Sequence, residues 1–313
     1  MKYFVTGGAG FIGSVLVNEL LKKGNQVTVY DNFTLGKKKF LNIKSKNLKI
    51  VKGDVRNFKL IQKIIKGHDF VFHMAANSDI PAGLKNSKLD YEINTVGTLN
   101  VLESMVKHKI KYLVFASTST VFGYPTKMPT SENYGPCLPE SFYGASKLAC
   151  EGFISSYSNL CGIKSWIFRF ANITGNPSTH GIIHDFKIKL KKPTNSFEVL
   201  GDGNQEKSYI TNEMLVEGIL KIVKKTQNKK QKIFLYNIGN TDSIKVKDIA
   251  KIFLKENNSN KKIVYTGGKG GWKGDVYKMH LNIKKIIKEG WKPQKNSKQC
   301  ILESIKKNKD KLC

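Results

Sequence analysis

The stretch Met1-Lys-Tyr-Phe-Val-Thr-Gly-Gly-Ala-Gly-Phe-Ile-Gly13 combines the three features that decide the fold. Lys2 to Thr6 has the apolar character of a short buried strand, and glycines follow at the spacing G-x-x-G-x-x-G. The residues from Phe11 to Leu21 then show the apolar spacing of a helix. A strand, a glycine turn and a helix N-terminus in this order favour a bound diphosphate, because exposed backbone N–H groups and the helix dipole attract negative charge.

This glycine pattern is more informative than a chance match, because it lies between a strand and a helix. An ordinary tight turn is the alternative interpretation. We expect the loop to hold the diphosphate of a dinucleotide. The residues that carry this expectation are Gly7, Gly10, Phe11, Ile12 and Gly13.

Strands and helices alternate over the first half of the chain. Further strands are predicted at residues 26–30, 48–51, 69–73, 112–116 and 164–168, and helices at 61–66, 91–107 and 146–160. This alternation predicts an α/β fold with a Rossmann-type doubly wound parallel sheet. Beyond Gly175 the alternation breaks down, with helices predicted at 210–225 and 246–256 and a strand at 232–237.

We therefore predict a dinucleotide-binding domain over residues 1–175. Residues 176–313 are predicted to form a smaller, mainly substrate-binding domain, with some elements packing back on the first domain.

Asp31 and Asn32 end the second predicted strand, and Asp31 lies 18 residues beyond Gly13. An acid at this point accepts hydrogen bonds from both hydroxyls of an adenosine ribose and repels a 2′-phosphate. The predicted cofactor is therefore NAD rather than NADP. Lys37 to Lys39 lie nearby, and we interpret them as solvated.

A second motif, Tyr143-Gly-Ala-Ser-Lys147, places a tyrosine and a lysine one helical turn apart on the same face. A nearby ammonium stabilises a phenolate and is expected to lower the pKa of Tyr143. Thr118, at the carboxyl end of the fifth predicted strand, is placed to bind the same substrate oxygen. We predict Thr118, Tyr143 and Lys147 as the catalytic residues, with Lys147 also binding the nicotinamide ribose.

The net charge of +29 raises the possibility of nucleic-acid binding. Only Arg56 and Arg169 are arginines, and the lysines are spread over the whole chain. Recognition of bases and phosphates usually relies on the bidentate arginine fork. We therefore predict no nucleic-acid partner, although a basic surface would help to gather an anionic small substrate.

The five cysteines are scattered and odd in number, which argues against a disulfide scaffold and suits a reducing cytoplasm. His180 and His184 are four residues apart without an adjacent glutamate, so no metal site is predicted. No apolar run is long enough to span a membrane, and no signal peptide is expected.

The ordered motifs resemble the extended short-chain dehydrogenase/reductase family, within it the nucleotide-sugar epimerases and dehydratases. The resemblance covers essentially the whole chain. The matching stretches are Thr6–Gly13, Asp31-Asn32, Gly53–Val55, His73–Ala76, Asn94–Thr98, Ser117–Gly123, Tyr143–Lys147, Arg169–Gly175, Gly201–Gly203, Lys207–Ile210 and Gly274–Val276.

The resemblance implies binding roles beyond the glycine loop and Asp31. On the cofactor side, it implies contacts with the adenine and along the dinucleotide from Asp54, Val55, Ala75, Ala76 and Asn94, with Tyr143 and Lys147 at the nicotinamide end. On the substrate side, it implies Asn77, Thr118 and Ser119 around the sugar, Asn172 at the diphosphate, Val199 and Leu200 beside the base, and Lys207 at the phosphates.

Ser119 and Thr120 bear on the reaction, because dehydratases and decarboxylases of the family carry carboxylates there. Without those acids the resemblance implies simple hydride exchange, giving an NAD-dependent 4-epimerase of a UDP-sugar of the UDP-glucose/UDP-galactose type. UDP-glucuronate or an N-acetylhexosamine as substrate, a net 4-reductase or dehydrogenase, and a non-catalytic dinucleotide sensor are the alternatives.

The chain departs from the family at the phosphate-binding positions. The family often has arginine where Lys207 stands, and another where this chain has Trp272 followed by Lys273. Both replacements lose bidentate binding of a phosphate. Gly267 to Gly271 is interpreted as a flexible loop. The helices at Tyr91 and Ser146 resemble those that pair in family dimers, which implies a homodimer.

Overall fold

The structure is a computed structural model that describes residues 1–271 and 274–308 of the 313-residue chain. The side chains of residues 81 and 82 are also outside the description. The expectations for Trp272 and Lys273 therefore concern residues beyond the described part of the chain.

Strands occur along the whole described chain. In chain order they are β1 Lys2–Thr6, β2 Gln26–Asp31, β3 Leu48–Lys52, β4 Phe70–His73, β5 Tyr112–Thr118, β6 Lys164–Phe170, β7 Asn172–Thr174, β8 Ser196–Val199, β9 Glu206–Lys207, β10 Tyr209–Thr211, β11 Ile233–Ile238, β12 Ile244–Lys245, β13 Lys262–Tyr265 and β14 Lys278–Met279.

Helices separate most of these strands. They are α1 Gly13–Lys22, α2 Phe58–Ile65, α3 Ile80–Gly83, α4 Ser87–Asp90, α5 Gly97–Lys107, α6 Phe142–Leu160, α7 Ile182–Leu190, α8 Asn212–Thr226, α9 Val246–Glu256, α10 Lys284–Lys288 and α11 Ser297–Lys307. Short 3₁₀ segments lie at Lys38–Phe40 and Ser119–Phe122, and a π-helical turn at Tyr91–Val96.

Seven strands form one sheet in the order β11-β6-β5-β4-β1-β2-β3. Every pair from β3 to β5 is parallel. Strands β1, β2, β4 and β5 are largely apolar and mostly buried, as a sheet covered on both faces requires, whereas β3 at the edge has no fully buried residue. The order reverses between β1 and β4, so the carboxyl ends of these strands flank the crevice where such sheets bind ligands.

A row of aromatic rings crosses this sheet from β1 to β11. Tyr3 contacts Phe70 with a centroid distance of 5.7 Å, and Phe70 stacks on Tyr112 at 5.4 Å. Trp166 continues the row and stacks on Phe234 at 5.4 Å. The indole N–H of Trp166 donates to Thr226 Oγ1, so its polar atom is satisfied within the core.

The chain divides into two compact units that are each built from several stretches. The first comprises Met1–Val121, Ser141–Arg169 and Val223–Tyr236. The second comprises Phe122–Glu140, Phe170–Ile222 and the described residues from Asn237 onward. The predicted domain boundary at residue 175 stays a prediction, because compact units are not necessarily separate domains. A later element does join the first sheet, since β11 pairs with β6.

The second unit contains three small sheets, in the orders β12-β9-β14, β10-β7 and β13-β8. Phe186, Phe197 and Phe253 bring together α7, β8 and α9 in a buried core. The rings of Phe186 and Phe197 meet edge to face at a centroid distance of 5.0 Å.

Helix α6 begins at Phe142, four residues before its predicted start at Ser146. The side chain of Ser141 accepts a hydrogen bond from the Gly144 N–H at 3.1 Å and caps the helix. Tyr143 therefore lies in the first turn.

The helix predicted over residues 91–107 begins instead with the π-helical turn. In this turn the Asn94 carbonyl accepts hydrogen bonds from the Thr98 hydroxyl and the Cys150 thiol. Side chains thus donate hydrogen bonds to the Asn94 carbonyl near the point where the π-helical turn continues as α5.

Gly13 should not tolerate a side chain, because an added Cβ would lie 2.1 Å from the Gly7 carbonyl oxygen. We expect Gly13→Ala to lower the free energy of unfolding by about 1–3 kcal/mol, the usual cost of overpacking. Urea unfolding followed by circular dichroism measures this change. Gly135→Ala is the control, since its Cβ would meet no atom within 4 Å. Equal stability of the two variants would contradict the expectation.

Candidate active site

The glycine loop after β1 approaches the loop after β4 closely. Gly7 has a φ of +64°, and a Cβ there would lie 2.6 Å from the Ala75 nitrogen. Gly7 donates its N–H to the Tyr30 carbonyl at 2.9 Å, while Gly10 donates to the Gly7 carbonyl at 3.1 Å. Only glycine fits the first of these positions, so the backbone of the turn stays free of side chains.

Helix α1 follows the glycine loop directly and has no side-chain cap at Ile12. The first N–H groups of a helix lack partners within it, so an uncapped first turn suits an anion. Phe11 and Gly13 are buried, whereas Gly10 and Ile12 are half-buried. The bare backbone and uncapped helix fit the diphosphate of the predicted NAD.

Asp31, at the end of β2, is 7% exposed and held by two backbone groups. Its Oδ2 accepts the Ala9 N–H at 2.9 Å and its Oδ1 accepts the Phe33 N–H at 2.8 Å. Burial raises the pKa of Asp31, and the two hydrogen bonds partly counter this rise. Each carboxylate oxygen retains acceptor capacity, as binding to a ribose diol requires.

Beside Asp31, Asn32 donates its side-chain N–H to Asp54 Oδ2 at 3.1 Å. Arg56 binds the same carboxylate with Nε and Nη2, each at 2.9 Å, and lowers the pKa of Asp54 to about 2. Val55 is 5% exposed and packs in the core. Asn32 and Asp54 therefore form a polar rim next to Asp31.

His73, at the end of β4, is fully buried between two threonines. Its Nδ1 lies 2.6 Å from Thr6 Oγ1, and its Nε2 lies 3.0 Å from Thr98 Oγ1. Because the Thr98 hydroxyl donates its proton to the Asn94 carbonyl, Nε2 carries the ring proton and donates it to Thr98. Burial and the Lys147 charge lower the pKa of His73 to about 3, so the ring is neutral.

This histidine also fixes the loop that lines the crevice. The Thr6 hydroxyl is left to donate to Nδ1, and the same oxygen accepts the Ala75 N–H at 3.2 Å. Ala75 is thereby held against Gly7, with Ala76 half-buried beside it. Apart from its place in the His73–Ala76 motif, nothing in the sequence predicted this role for His73.

A second buried network joins the loop after β4 to α6. Asn94 Oδ1 accepts the Asn77 N–H, and Asn94 Nδ2 donates to Ser146 Oγ, both at 2.9 Å. Ser146 Oγ donates to the Tyr143 carbonyl at 2.8 Å. Asn94 therefore connects two predicted site residues, Asn77 and Tyr143, through its carboxamide.

Asp90 is fully buried in this network. Its Oδ1 accepts a hydrogen bond from Asn77 Nδ2 at 2.9 Å. Its Oδ2 is buried and has no hydrogen-bond partner within residues 1–271 and 274–308. Burial accordingly raises the pKa of Asp90.

Thr118, Tyr143 and Lys147 come together in the first unit at the end of β5 and the start of α6. The side chain of Thr118 lies near the Tyr143 phenol and lowers its pKa. Thr118 Oγ1 also accepts the Thr120 N–H at 3.2 Å, and Ser119 is buried beside it. Lys147 is 1% exposed, and its Nζ donates to the Ala116 carbonyl at 2.7 Å.

Burial dominates the pKa of Tyr143 and raises it, and Asp90 and Cys150 add to this rise. The nearby Thr118 side chain is what lowers it. The expected lowering of this pKa by Lys147 is therefore wrong, because removal of the phenol from water raises the pKa and Lys147 is not among the groups that lower it. Burial also lowers the pKa of Lys147 to about 8.

The residues predicted to bind the diphosphate and base of the substrate lie in the second unit. Asn172 is half-buried on β7, and Leu200 is exposed just after β8. Val199 points into the core with no exposed area. Lys207 is ion-paired with Asp275, a contact that the sequence did not predict, since these residues are 68 positions apart.

Gly267 to Gly271, interpreted from the sequence as a flexible loop, makes defined contacts in the second unit. Gly267 donates its N–H to the Gly201 carbonyl at 3.0 Å. Gly271 donates its N–H to Asp275 Oδ2 at 2.9 Å. The loop is thus connected to the residue that pairs with Lys207.

Neither a cluster of metal ligands nor a membrane-spanning helix occurs in the part of the chain that the structure describes. Within residues 1–271 and 274–308, no three histidine, cysteine or acidic side chains lie together as metal ligands. No helix in this part of the chain combines the length and apolar character needed to cross a bilayer.

Comparison with known proteins gives consistent matches. The model of the NAD dependent epimerase/dehydratase family matches residues 3–239. A Methanocaldococcus jannaschii protein, provisionally named a UDP-glucose 4-epimerase, is 35% identical over 303 residues, which cover 95% of each chain. A crystal structure of a UDP-galactose 4-epimerase has a TM-score of 0.91 at 34% identity and covers 100% of both chains. The Thermotoga maritima UDP-glucose 4-epimerase with UDP-glucose has a TM-score of 0.89 at 27% identity, again over 100% of both. These matches confirm the predicted α/β fold with its Rossmann-type sheet.

The buried charge of Lys147 should reduce stability at neutral pH. Below pH 8, Lys147 is protonated in both the folded and the unfolded state. Between pH 8 and about 10.4 it is protonated only in the unfolded state, so the free energy of unfolding rises with pH in this range. We expect Lys147→Met to be more stable than wild type by up to about 3 kcal/mol at pH 7, and this gain should vanish as the pH approaches 10.4.

Urea unfolding from pH 6 to 10.5, without added ligand, measures this difference. Lys63→Met removes an exposed lysine of α2 and should leave the pH dependence unchanged. A pH-independent difference between wild type and Lys147→Met would contradict the expectation.

Proposed function

Because the chain belongs to the NAD-dependent epimerase/dehydratase family, we propose that it is an epimerase that inverts C4 of a UDP-sugar. UDP-glucose and UDP-galactose are the substrate pair that we favour. Membership of the family confirms the resemblance seen in the motifs and the NAD cofactor. The sugar, the nucleotide and the roles of individual residues are parts of the proposal.

The observation that carries the proposal is the grouping of Thr118, Tyr143 and Lys147 where β5 ends and α6 begins, with Thr118 close enough to the Tyr143 phenol to lower its pKa. Ser119 and Thr120 follow Thr118, so no acid stands where an elimination or decarboxylation within this family would use one. What these residues can do is bind one sugar hydroxyl and exchange its proton.

In this proposal Thr118 and Tyr143 bind the C4 hydroxyl, and Tyr143 takes its proton and later returns it. NAD, when bound, supplies the acceptor and donor for the C4 hydride. The glycine loop and the first turn of α1 hold the diphosphate, and Asp31 binds the adenosine ribose. Lys147 binds the nicotinamide ribose with the two N–H groups that Ala116 does not use.

Burial of Tyr143 supports a protonated phenol in the protein without ligands. A positively charged nicotinamide close to this site would lower the pKa of the phenol and of Lys147, because a cation disfavours further positive charge and favours phenolate. The proton of the sugar hydroxyl would then have an acceptor only when the oxidised cofactor is bound.

The proposed nucleotide site in the second unit uses Asn172, Leu200 and Lys207. The side chain of Lys207 is 13% exposed and its ammonium pairs with Asp275, so a bound phosphate would have to share or displace that carboxylate. As a lysine, Lys207 binds phosphate as a point charge rather than as a fork. Val199 would contribute through its backbone, since its side chain is in the core.

The alternative functions differ from the proposed epimerase in whether they consume NAD(H), in which sugar they convert, or in converting none. A net 4-reductase or dehydrogenase would change the amount of NADH in proportion to turnover, whereas an epimerase would not. UDP-glucuronate and N-acetylhexosamine substrates are separated by assaying a panel of UDP-, GDP- and dTDP-sugars. A dinucleotide sensor would bind NAD without converting any of them.

Tyr143→Phe is the direct test of the mechanism. We expect it to slow the interconversion of UDP-glucose and UDP-galactose by about 10²–10⁴-fold, the usual contribution of general acid–base catalysis. NMR of the equilibrating sugars measures the rate, and absorbance at 340 nm tracks NADH. Tyr157→Phe changes a half-buried tyrosine on the same helix and should keep the wild-type rate. Full activity of Tyr143→Phe would refute the mechanism.

We further propose a homodimer built on α5 and α6. Residues on the outer side of these helices are apolar and exposed, with Phe153 40%, Leu160 85% and Val106 40% accessible. Large apolar side chains grouped on one surface are typical of protein interfaces.

The cytoplasmic location expected from the cysteines stays a prediction. The four cysteines that the structure describes are free thiols.

Phe153→Glu should convert the proposed dimer to a monomer, because each interface would bury this carboxylate twice without a partner. Light scattering coupled to size-exclusion chromatography measures the mass. Ile43→Glu is the control, since Ile43 is 64% exposed outside these helices. A mass equal to that of wild type would contradict the proposed interface.

A further inference from the structure

A buried ion pair lies on α6 one turn beyond Lys147. Glu151 and Arg169 are 7% and 5% exposed, and they join α6 to β6. Arg169 Nη2 donates to Glu151 Oε2 at 2.6 Å, and Nε donates to Oε1 at 3.0 Å. This two-point contact is the fork geometry that arginine forms with a carboxylate.

Ser117 completes the arrangement from β5. Its hydroxyl donates to Glu151 Oε1 at 2.5 Å, and the residue is 2% exposed. Ser117 immediately precedes Thr118, so the same carboxylate contacts the strand that carries the proposed catalytic threonine. We call Ser117, Glu151 and Arg169 the carboxylate clamp.

Without the clamp, Glu151 would have a different partner. Glu151 follows Lys147 by four residues on α6, and opposite charges at this spacing attract one another on a helix surface. A buried carboxylate that has lost its cation carries a large desolvation cost and will pair with any ammonium in reach. Lys147 is the cation that the helix geometry offers.

Lys147 instead points its ammonium at β5. Nζ donates to the Ala116 carbonyl at 2.7 Å and lies 4.5 Å from the centroid of the Phe115 ring. The charge of Glu151 raises the pKa of Lys147, and a deprotonated Cys150 would do the same, although burial raises the pKa of that thiol. The remaining titratable neighbours are His73 of β4, which is neutral, and Tyr143 on the same helix.

We propose that Arg169 is a positioning residue of the active site, which binds the Glu151 carboxylate and so prevents it from pairing with the Lys147 ammonium. This inference rests on the proposed function for its catalytic meaning. The clamp leaves Lys147 free to face β5, where Thr118 and Tyr143 meet. Arg169 acts through the Glu151 carboxylate, to which its Nε and Nη2 donate.

Arg169→Met tests the inference, because it removes the cation and leaves the carboxylate. We expect kcat to fall by about 10- to 100-fold, at or below the low end of acid–base contributions. The alkaline limb of the kcat–pH profile should also move to higher pH, because a Glu151 that pairs with Lys147 raises the pKa of its ammonium.

The double variant Glu151→Gln/Arg169→Met separates positioning from plain structural support. With no carboxylate left to capture Lys147, we expect kcat and the alkaline limb to return towards wild type. The inference would be overturned if Arg169→Met lost activity while the alkaline limb of its kcat–pH profile stayed in place, and if the double variant showed no recovery. If Arg169→Met does not fold, Arg169→Lys keeps the charge but loses the fork, and should show a smaller shift in the same direction.

Unfolding measurements make the result independent of turnover. The difference in stability between wild type and Lys147→Met is measured against pH, and repeated in the Arg169→Met background. We expect the pH at which this difference declines to be higher in that background. Because the measurement needs no substrate, it decides the role of the clamp even if the epimerase proposal fails. An unchanged pH dependence would reject the clamp.

Discussion

Lys147 carries its charge in a place that water hardly reaches, and much of the first unit is arranged around that fact. A buried ammonium is costly unless dipoles or opposite charges replace its hydration. The Ala116 carbonyl and the face of the Phe115 ring provide part of that replacement from β5. The nearby carboxylate, which would compensate the charge most simply, is bound to Arg169 instead. The protein thus keeps a poorly compensated cation at the proposed active site, where β5 ends and α6 begins.

The parallel arrangement of the strands brings these polar groups to one edge of the sheet, where they can form hydrogen bonds with one another. Thr6, His73 and Thr118 each end a strand of the sheet, so their side chains lie near the same edge. Threonine hydroxyls and backbone N–H groups then satisfy the buried polar atoms one after another, as at His73. Asp90 is one of the exceptions, with a carboxylate oxygen that finds no partner among the described residues. Its charge also opposes ionisation of Tyr143, so that part of the network affects chemistry as well as shape.

Local patterns were enough to predict the sheet and the proposed catalytic residues. The glycine spacing predicted the turn before α1, and the Tyr143–Lys147 spacing predicted residues on one helical face. Features that depend on distant partners were not accessible in this way. The contact of Gly7 with Ala75, the pairing of Lys207 with Asp275 and the Arg169 fork each join residues brought together only by folding. The pKa direction of Tyr143 was wrong for a related reason, because the spacing indicated the nearby charge but not the depth of burial.

The aromatic row has a consequence for synthesis of the chain. Its last ring, Phe234, belongs to β11, which pairs with β6 although more than sixty residues separate these strands. A ribosome adding about 5–20 residues per second takes several seconds to cover that distance. During this interval β6 is an open sheet edge with Trp166 uncovered on one side, which is a template for pairing with another chain. The nascent protein therefore passes through a period in which chaperones have a defined strand to shield.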